Sequence, residues 1–241
     1  MRRRFFVDSF QDGKTQMEGE LAHHLGRVLR AQPGQLYELS DGTSVWLGRI
    51  EAVSRDSVDF SLIEQLDGYI PALETTLLLA IVKFEAFEWA IEKATELGVS
   101  RIVPLAAARS DKPLLTAATK RFERWKKLLF EASQQSRRVK LPVLSAPEKP
   151  AAAFASQSSD CRVLLSESPA AEPMRRVLGA RYARSAVLAV GPEGGWTEAE
   201  FAEAKAAGFQ EASLGKLILR TETAVIASLA ALNYELGATE S

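Results

Sequence analysis

A run of glycines directly after an apolar segment is the feature of this sequence most suggestive of chemistry. Residues 188–190 are apolar and are expected to end a buried strand, and residues 191–195 read Gly-Pro-Glu-Gly-Gly. Glycine lets a backbone approach a ligand closely and adopt positive φ. Thr197 and Glu200 have the spacing of a capping box, so a helix is predicted to begin there. Since ligands bind beyond the carboxyl ends of strands in open α/β sheets, we predict a ligand-binding loop rather than an ordinary turn.

A second loop of similar character precedes the last apolar segment. Residues 212–223 contain Gly215 and end in the polar cluster Arg-Thr-Glu-Thr, and residues 224–236 are predicted to form a long apolar helix that ends at Gly237. Helix capping explains the threonines and the glutamate of this cluster. It does not explain Arg220, because a positive charge is unfavourable at a helix N-terminus. Arg220 is therefore predicted to be functional.

Several common site motifs are absent from the sequence. No Gly-x-Gly-x-x-Gly follows a strand, which argues against a Rossmann dinucleotide site, and there is no P-loop. No cysteine and histidine spacing suits zinc, and Gly-x-Ser-x-Gly is missing. Metal, dinucleotide and hydrolase-triad chemistry are thus not expected.

The elements that position these loops fall into two parts. Residues 35–40, 45–50 and 57–63 suit short strands, and residues 23–30 suit a short helix. From about residue 73 the pattern changes to alternating strands and helices, which predicts an α/β domain with a mainly parallel sheet. The expected strands there are residues 77–82, 101–105, 162–165 and 186–190, and the expected helices include residues 84–97 and 120–135. We predict a small β-barrel domain over residues 1–72 and an α/β domain over residues 73–241.

Composition and charge indicate a folded protein without signal-peptide or membrane segments. The chain has 241 residues, a net charge of −1 and one cysteine, Cys161, which is predicted to be a buried structural thiol. We therefore expect a cytoplasmic protein. Because the net charge is close to zero, any nucleic-acid contact must rest on local charge, and residues 120–140 hold eight basic and two acidic side chains.

Together, the two loops resemble the paired cofactor motifs of the 16S rRNA (uracil-N3)-methyltransferase family of the SPOUT superfamily. The motifs are residues 191–195 and the segment 214–224, which reads Leu-Gly-Lys-Leu-Ile-Leu-Arg-Thr-Glu-Thr-Ala. The resemblance extends to residues 3–6, 23–30, 83–85, 91–99 and 131–138. It implies a PUA-like RNA-binding β-barrel, a SPOUT domain with a C-terminal trefoil knot, a homodimer, and S-adenosyl-L-methionine as cofactor. The implied reaction is methylation of N3 of a uridine in 16S rRNA of the 30S subunit.

The resemblance and the residue chemistry together predict the site. The residues expected to bind the cofactor are Leu165, Ser166, Glu167, Gly191, Pro192, Glu193, Gly194, Gly195, Leu214, Gly215, Leu217, Leu219, Arg220, Thr221 and Ala224. The residues expected to contact RNA are Arg3, Arg4, His24, Arg27, Arg30, Arg137 and Arg138. No metal ion is expected.

Two side chains are predicted to be catalytic. The N3 proton of uracil must leave, and the charge that spreads onto the carbonyl oxygens must be stabilised, a role that suits Arg220. Both histidines, His23 and His24, precede the α/β domain, so the base is predicted to be Glu222, with Glu193 or water as alternatives.

Other functions remain compatible with the sequence. A SPOUT enzyme that modifies a ribose 2′-hydroxyl or transfer RNA is the nearest alternative. A non-catalytic RNA-binding assembly factor is a second, although the intact glycine loop and Arg220 argue against it. A nucleotide-binding enzyme outside the methyltransferases is disfavoured because phosphate motifs are missing.

Overall fold

The computed structural model describes residues 4–179 and 182–237. The chain divides into two compact units. The first contains Met1–Ile70 and Ser133–Leu141, and the second contains Pro71–Ala132 and Pro142–Ser241. The predicted boundary at residue 72 placed residues 133–141 in the second domain, whereas the structure groups them with the first unit.

The first unit is a mixed five-stranded sheet with one short helical segment. Its strands are β1 (Arg4–Phe6), β2 (Lys14–Glu18), β3 (Leu36–Ser40), β4 (Val45–Val53) and β5 (Ser57–Leu66), in the order β1-β3-β4-β5-β2. β1 pairs with β3 in parallel, and the other pairs are antiparallel. The three predicted strands correspond to β3, β4 and β5. The predicted helix over residues 23–30 is instead α1 (Gly19–His23) followed by a π-helical turn over His24–Val28.

Close packing in the first unit depends on a glycine in β4. Phe5, Leu25, Leu39, Ile50 and Phe60 form its buried core. A Cβ at Gly48 would lie 2.3 Å from Leu39 Cδ1, which is far inside van der Waals contact. The absence of a side chain at Gly48 therefore leaves room for the Leu39 side chain to pack against β4.

The second unit is a seven-stranded sheet in which every pair is parallel. Its strands are β6 (Glu74–Ala80), β7 (Arg101–Leu105), β8 (Val143–Leu144), β9 (Cys161–Leu165), β10 (Glu172–Pro173), β11 (Ser185–Val190) and β12 (Gln210–Ser213). The order is β10-β12-β9-β11-β6-β7-β8. Its helices are α2 (Phe84–Glu96), α3 (Lys112–Gln135), α4 (Pro150–Ala155), α5 (Met174–Leu178), α6 (Glu198–Ala206) and α7 (Thr221–Leu236), and residues 133–135 at the end of α3 belong to the first unit. The predicted parallel sheet flanked by helices is confirmed.

Both faces of this sheet are covered, which explains the continuously apolar central strands. Side chains of a strand alternate between faces. Leu77 and Leu79 of β6 accordingly join one core with helices α2 and α7, and Leu78 joins a second core that contains Phe154 of α4. α7 is also fastened to the end of α2, because Asn233 Nδ2 donates to the Leu97 carbonyl at 2.7 Å.

Strand order brings the predicted ligand loops to one edge. β12, β9 and β11 are neighbours, and all run in the same direction, so their carboxyl ends lie side by side. Cys161 is buried at the start of β9, as predicted. Across the helices that the structure describes, none combines the length and the apolar character that crossing a membrane requires.

Candidate functional site at the carboxyl ends of three parallel strands

A cavity of about 970 Å³ opens at this edge of the second unit. The loops after β9 and β12 contribute residues 165–168 and 213–222, and the loop after β11 contributes residues 190–196 except Gly194. The start of α2 forms a further wall. The two glycine-bearing loops that the sequence analysis singled out therefore face one cavity.

The loop after β11 is held in a tight turn. The Gly195 amide donates to the Pro192 carbonyl at 2.8 Å, and Gly195 has a φ of +69°, which favours glycine. The predicted capping box is present: Thr197 Oγ1 accepts from the Glu200 amide, and the Glu200 carboxylate accepts from the Thr197 amide. α6 thus begins where the sequence indicated.

Two of the three glycines in this loop make room for side chains of the protein itself. A Cβ on Gly191 would lie 3.0 Å from the Trp196 ring, and a Cβ on Gly194 would lie 3.3 Å from Arg109 Cβ. Gly194 does not line the cavity, in contrast to its predicted place beside the cofactor. The absence of a side chain at Gly194 serves packing against Arg109 rather than approach to a ligand.

The loop after β12 presents apolar side chains at the cavity. Ser213 Oγ accepts from the Gly215 amide at 3.2 Å and donates to the Gly215 carbonyl at 2.9 Å, and Gly215 has a φ of +132°. Leu217 and Ile218 follow and are 83% and 80% exposed. Such exposure of two adjacent aliphatic side chains in a cavity wall suits an apolar ligand surface.

The two predicted catalytic side chains stand at the start of α7, and both line the cavity. Arg220 occupies the N-cap position with an extended backbone, and its side chain makes no capping hydrogen bond. Within residues 4–179 and 182–237, the Arg220 side chain has no ion pair either. Its guanidinium is therefore available to a ligand. Glu222 is half-buried in the first turn of α7.

The cavity wall contains most of the predicted cofactor residues and several that sequence reasoning missed. Those predicted and found in the wall are Leu165, Ser166, Glu167, Gly191, Pro192, Glu193, Gly195, Leu214, Gly215, Leu217, Leu219, Arg220, Thr221 and Ala224. The missed residues include Lys83, Glu85, Trp89 and Trp196. β6 is the neighbour of β11, so the chain that follows β6 had to reach the same edge; that inference could have located the residues at the start of α2.

The arginines that were predicted to contact RNA divide into buried and exposed groups. Arg4 is 5% exposed and pairs with Glu38 at 2.9 Å, and Arg4 also donates to the Arg137 carbonyl. Burial, with a smaller contribution from the charge of Arg137, lowers the pKa of Arg4. Because Arg4 is enclosed and paired, it is placed to hold residues 133–141 against β3 rather than at an RNA surface.

The other predicted RNA contacts differ in their exposure. His24, Arg27 and Arg30 are exposed around the π-helical turn. Arg137 is also exposed but forms an ion pair with Glu38. Burial lowers the pKa of the Arg138 guanidinium to about 10. Arg3 lies outside the described residues.

No group of three or more His, Cys, Asp or Glu side chains is arranged to hold a metal ion among the described residues.

Comparison with known proteins finds that this chain is similar to RNA methyltransferases. Residues 70–233 match the model of an RNA methyltransferase domain, and residues 18–63 match an RNA methyltransferase PUA domain. The chain is 36% identical to a ribosomal RNA small subunit methyltransferase E of Synechocystis, covering 88% of this chain and 70% of that protein. The corresponding protein of Bacillus subtilis is 31% identical, covering 97% of this chain and 96% of that protein.

A solved structure is similar to this chain over nearly the whole length of both. The crystal structure of a ribosomal RNA small subunit methyltransferase E from Neisseria gonorrhoeae, bound to S-adenosyl methionine, superimposes with a TM-score of 0.85. The sequences are 29% identical, and the match covers 98% of each chain. With its catalytic and PUA domain models both matched and its relatives aligned over most of their length, this chain belongs to the family of ribosomal RNA small subunit methyltransferases E.

Proposed function

We propose that this protein transfers a methyl group from S-adenosyl-L-methionine to N3 of a uridine in the 16S rRNA of the small ribosomal subunit. The observation that carries the proposal is the convergence of residues 165–168, 190–193, 195–196 and 213–222 on one cavity, which also holds Arg220, a side chain with no ion pair within residues 4–179 and 182–237. The family of the chain supplies the reaction class, and the motif resemblance supplies the target atom.

The cavity suits a methyl donor with an adenosine and an amino-acid part. Its volume, about 970 Å³, falls within the range of small-molecule sites, and such sites combine apolar walls with a few polar groups. Leu217 and Ile218 supply apolar surface, and Ser166 and Glu167 supply hydroxyl and carboxylate groups. The sulfonium donor would supply an electrophilic methyl group, and the loop backbones would hold the adenosine.

Catalysis then depends on two tasks that the chain performs at the target base. The N3 proton must be accepted, and the negative charge that spreads over the carbonyl oxygens must be stabilised before N3 attacks the methyl group. Arg220 meets the second requirement, since a guanidinium placed beside developing negative charge stabilises it. Glu222, two residues after Arg220 in the same wall, is the base that we favour, and Glu193 or water is the alternative.

RNA recognition is assigned to the PUA-like first unit and its exposed basic turn. His24, Arg27 and Arg30 can contact phosphates or stack on bases. The N3 edge of uracil is hidden in a base pair, so the target uridine must be unpaired or flipped out. Arg137 and Arg138 are retained as secondary contacts only, because one is paired with Glu38 and the other is largely enclosed.

Three further properties belong to the proposal. The motif resemblance implies a C-terminal trefoil knot and a homodimer, and the composition of the sequence indicates a cytoplasmic location. The domain boundary near residue 72 is proposed as the division between RNA-binding and catalytic domains. Light scattering coupled to size-exclusion chromatography tests the homodimer: about twice the mass of 26.4 kDa is expected, and the monomer mass would contradict it.

The test of function is methyl transfer onto defined substrates. Purified protein is incubated with isotopically labelled S-adenosyl-L-methionine and either 16S RNA or 30S subunits from a strain that lacks the gene. Nucleoside mass spectrometry should find label in N3-methyluridine. Label on a ribose 2′-hydroxyl or in transfer RNA would instead support another SPOUT activity. Absence of both transfer and cofactor binding would support a non-catalytic assembly factor.

A further inference from the structure

A side chain outside the cavity is tied to the loop after β11. Arg109 lies in the loop that follows β7, and its Nη1 donates to the Gly194 carbonyl at 2.8 Å and to the Trp196 carbonyl at 3.2 Å. The Arg109 stem packs against Gly194, whose missing Cβ leaves room for it. Neither Arg109 nor Gly194 lines the cavity, so this contact lies on the outer side of the loop.

A second tie joins the same two loops. Glu200 is 5% exposed; its Oε1 accepts from the Ala108 amide at 2.8 Å, and its Oε2 accepts from the Thr197 amide at 2.8 Å. Glu200 therefore does more than complete the capping box. With Arg109 it fixes residues 194–197 to the loop after β7 at two neighbouring points.

The loop that these hydrogen bonds hold is rich in glycine, so it has the most conformational freedom to lose on ordering. Residues 191–195 contain three glycines, and glycine loses more conformational freedom on ordering than any other residue. A loop that is ordered before its ligand arrives binds more tightly, because the entropic cost of ordering is already met. The carbonyls of Gly194 and Trp196 flank the turn at Gly195, so fixing them fixes the direction of the backbone on the cavity side.

We propose that Arg109 is a positioning residue that holds the glycine loop after β11 in the shape required by the methyl donor. This inference rests on the proposed function, because it takes the cavity to be the donor site. Arg109 acts through the loop and touches neither donor nor RNA. Its removal should weaken donor binding and leave turnover at saturating donor nearly unchanged.

The experiment compares Arg109→Met, Arg109→Lys and a matched control, Arg101→Met. Methionine keeps an unbranched apolar stem against Gly194 and removes the donors. Lysine keeps the charge but ends a bond earlier, so partial rescue is expected. Arg101 is an exposed arginine at the opposite end of β7, away from the loops. Calorimetry should give about tenfold weaker S-adenosyl-L-methionine binding for Arg109→Met, the loss typical of one charge-assisted hydrogen bond.

Two more measurements separate positioning from general stability. Hydrogen exchange without ligand should be faster in peptides covering residues 191–197 of Arg109→Met and unchanged in Arg101→Met. Steady-state kinetics should show a raised KM for the donor and little change in kcat. If Arg109→Met does not fold, the same readouts on Arg109→Lys decide the question.

The outcomes distinguish this inference from the proposed function. If wild-type protein binds no S-adenosyl-L-methionine, the proposed function fails. If wild type binds it and Arg109→Met binds it equally well, with unchanged loop exchange, the positioning role is refuted. A raised KM for RNA with unchanged donor affinity would also refute it, since Arg109 would then be an RNA contact.

Discussion

The indole Nε1 of Trp196 donates a hydrogen bond to the Leu165 carbonyl at 3.0 Å. This bond joins the loop after β11 to the end of β9, and both lie in the wall of the same cavity. The ring itself packs against Gly191 and forms an edge contact with Phe154, with centroids 5.7 Å apart. The Trp196 side chain thus forms part of the cavity wall and connects the loop after β11 to the end of β9.

Substitution of Gly191 tests how tightly the Trp196 ring packs against the backbone of this loop. A Cβ at Gly191 would meet the Trp196 ring at 3.0 Å, and the ring cannot move without losing its bond to Leu165. We expect Gly191→Ala to weaken S-adenosyl-L-methionine binding by about tenfold or more, through the strain of overpacking. Arg101→Met, an exposed position at the opposite end of β7 from the loops, is the control. Equal affinities in calorimetry for the two variants would contradict this account.

Removing the guanidinium of Arg220 tests the proposed chemistry. We expect Arg220→Ala to lower kcat by about 10² to 10³-fold, as loss of a donor that stabilises transition-state charge does. Donor binding should fall much less, since the loop backbones remain. Single-turnover methylation and calorimetry on the same preparation measure both. Wild-type turnover in Arg220→Ala would remove this side chain from the mechanism.

The exposed turn of the first unit gives a prediction about salt dependence. Arg27→Ala and Arg30→Ala should each weaken RNA binding and reduce the slope of log affinity against log salt by about 0.7 to 0.9, provided that each side chain contacts one phosphate. Arg55 is exposed in the same unit and was not predicted to contact RNA, so Arg55→Ala is the control. Slopes that are identical in all three variants would remove Arg27 and Arg30 from the RNA surface.

A buried ion pair in the first unit gives a prediction about stability. Glu38→Leu leaves Arg4 enclosed with no carboxylate, and breaking a buried pair in this way costs about 3 to 5 kcal/mol. The double variant Arg4→Met, Glu38→Leu should recover part of that loss, because both buried charges are gone, while the Arg4 hydrogen bond to the Arg137 carbonyl is lost as well. Urea denaturation of the three proteins measures it. A double variant that is no more stable than Glu38→Leu would contradict the prediction.

Asp160 gives a prediction about pH. Its carboxylate accepts from the Arg184 amide at 2.9 Å and the Ser185 amide at 3.1 Å, and these bonds lower its pKa. A depressed carboxyl pKa stabilises the fold above the ordinary aspartate value, about 3.9, and that stabilisation is lost as the pH falls through the folded-state value. Asp160→Asn should therefore unfold at a lower temperature than wild type at pH 7, and the gap should narrow below about pH 4. A gap that is constant with pH would show that the charge of Asp160 contributes nothing.

Local features of the sequence were sufficient for several elements of the site. Thr197 and Glu200 form their capping box within one turn, so spacing alone indicated it. The central strands were recognisable because both faces are buried. β12 was missed, since Gln210–Ser213 is short and mostly polar and becomes a strand only by pairing with β9.

The structure differs from the sequence-based expectations where distant residues decide the environment. Arg4 looked like one of a group of surface arginines, but parallel pairing of β1 with β3 sets it opposite Glu38. Gly194 looked like a ligand glycine, but its neighbour, Arg109, is 85 residues away in sequence. Neither relationship leaves a periodic signal, because both depend on strand order and register.

The most direct test of the central claim is a crystal structure of this protein with S-adenosylhomocysteine. We predict that the ligand lies between residues 191–195 and 214–221, with its sulfur towards Arg220. A ligand bound elsewhere on the chain, or no ligand at millimolar concentration with these loops unchanged, would contradict the assignment of the cavity as the methyl-donor site.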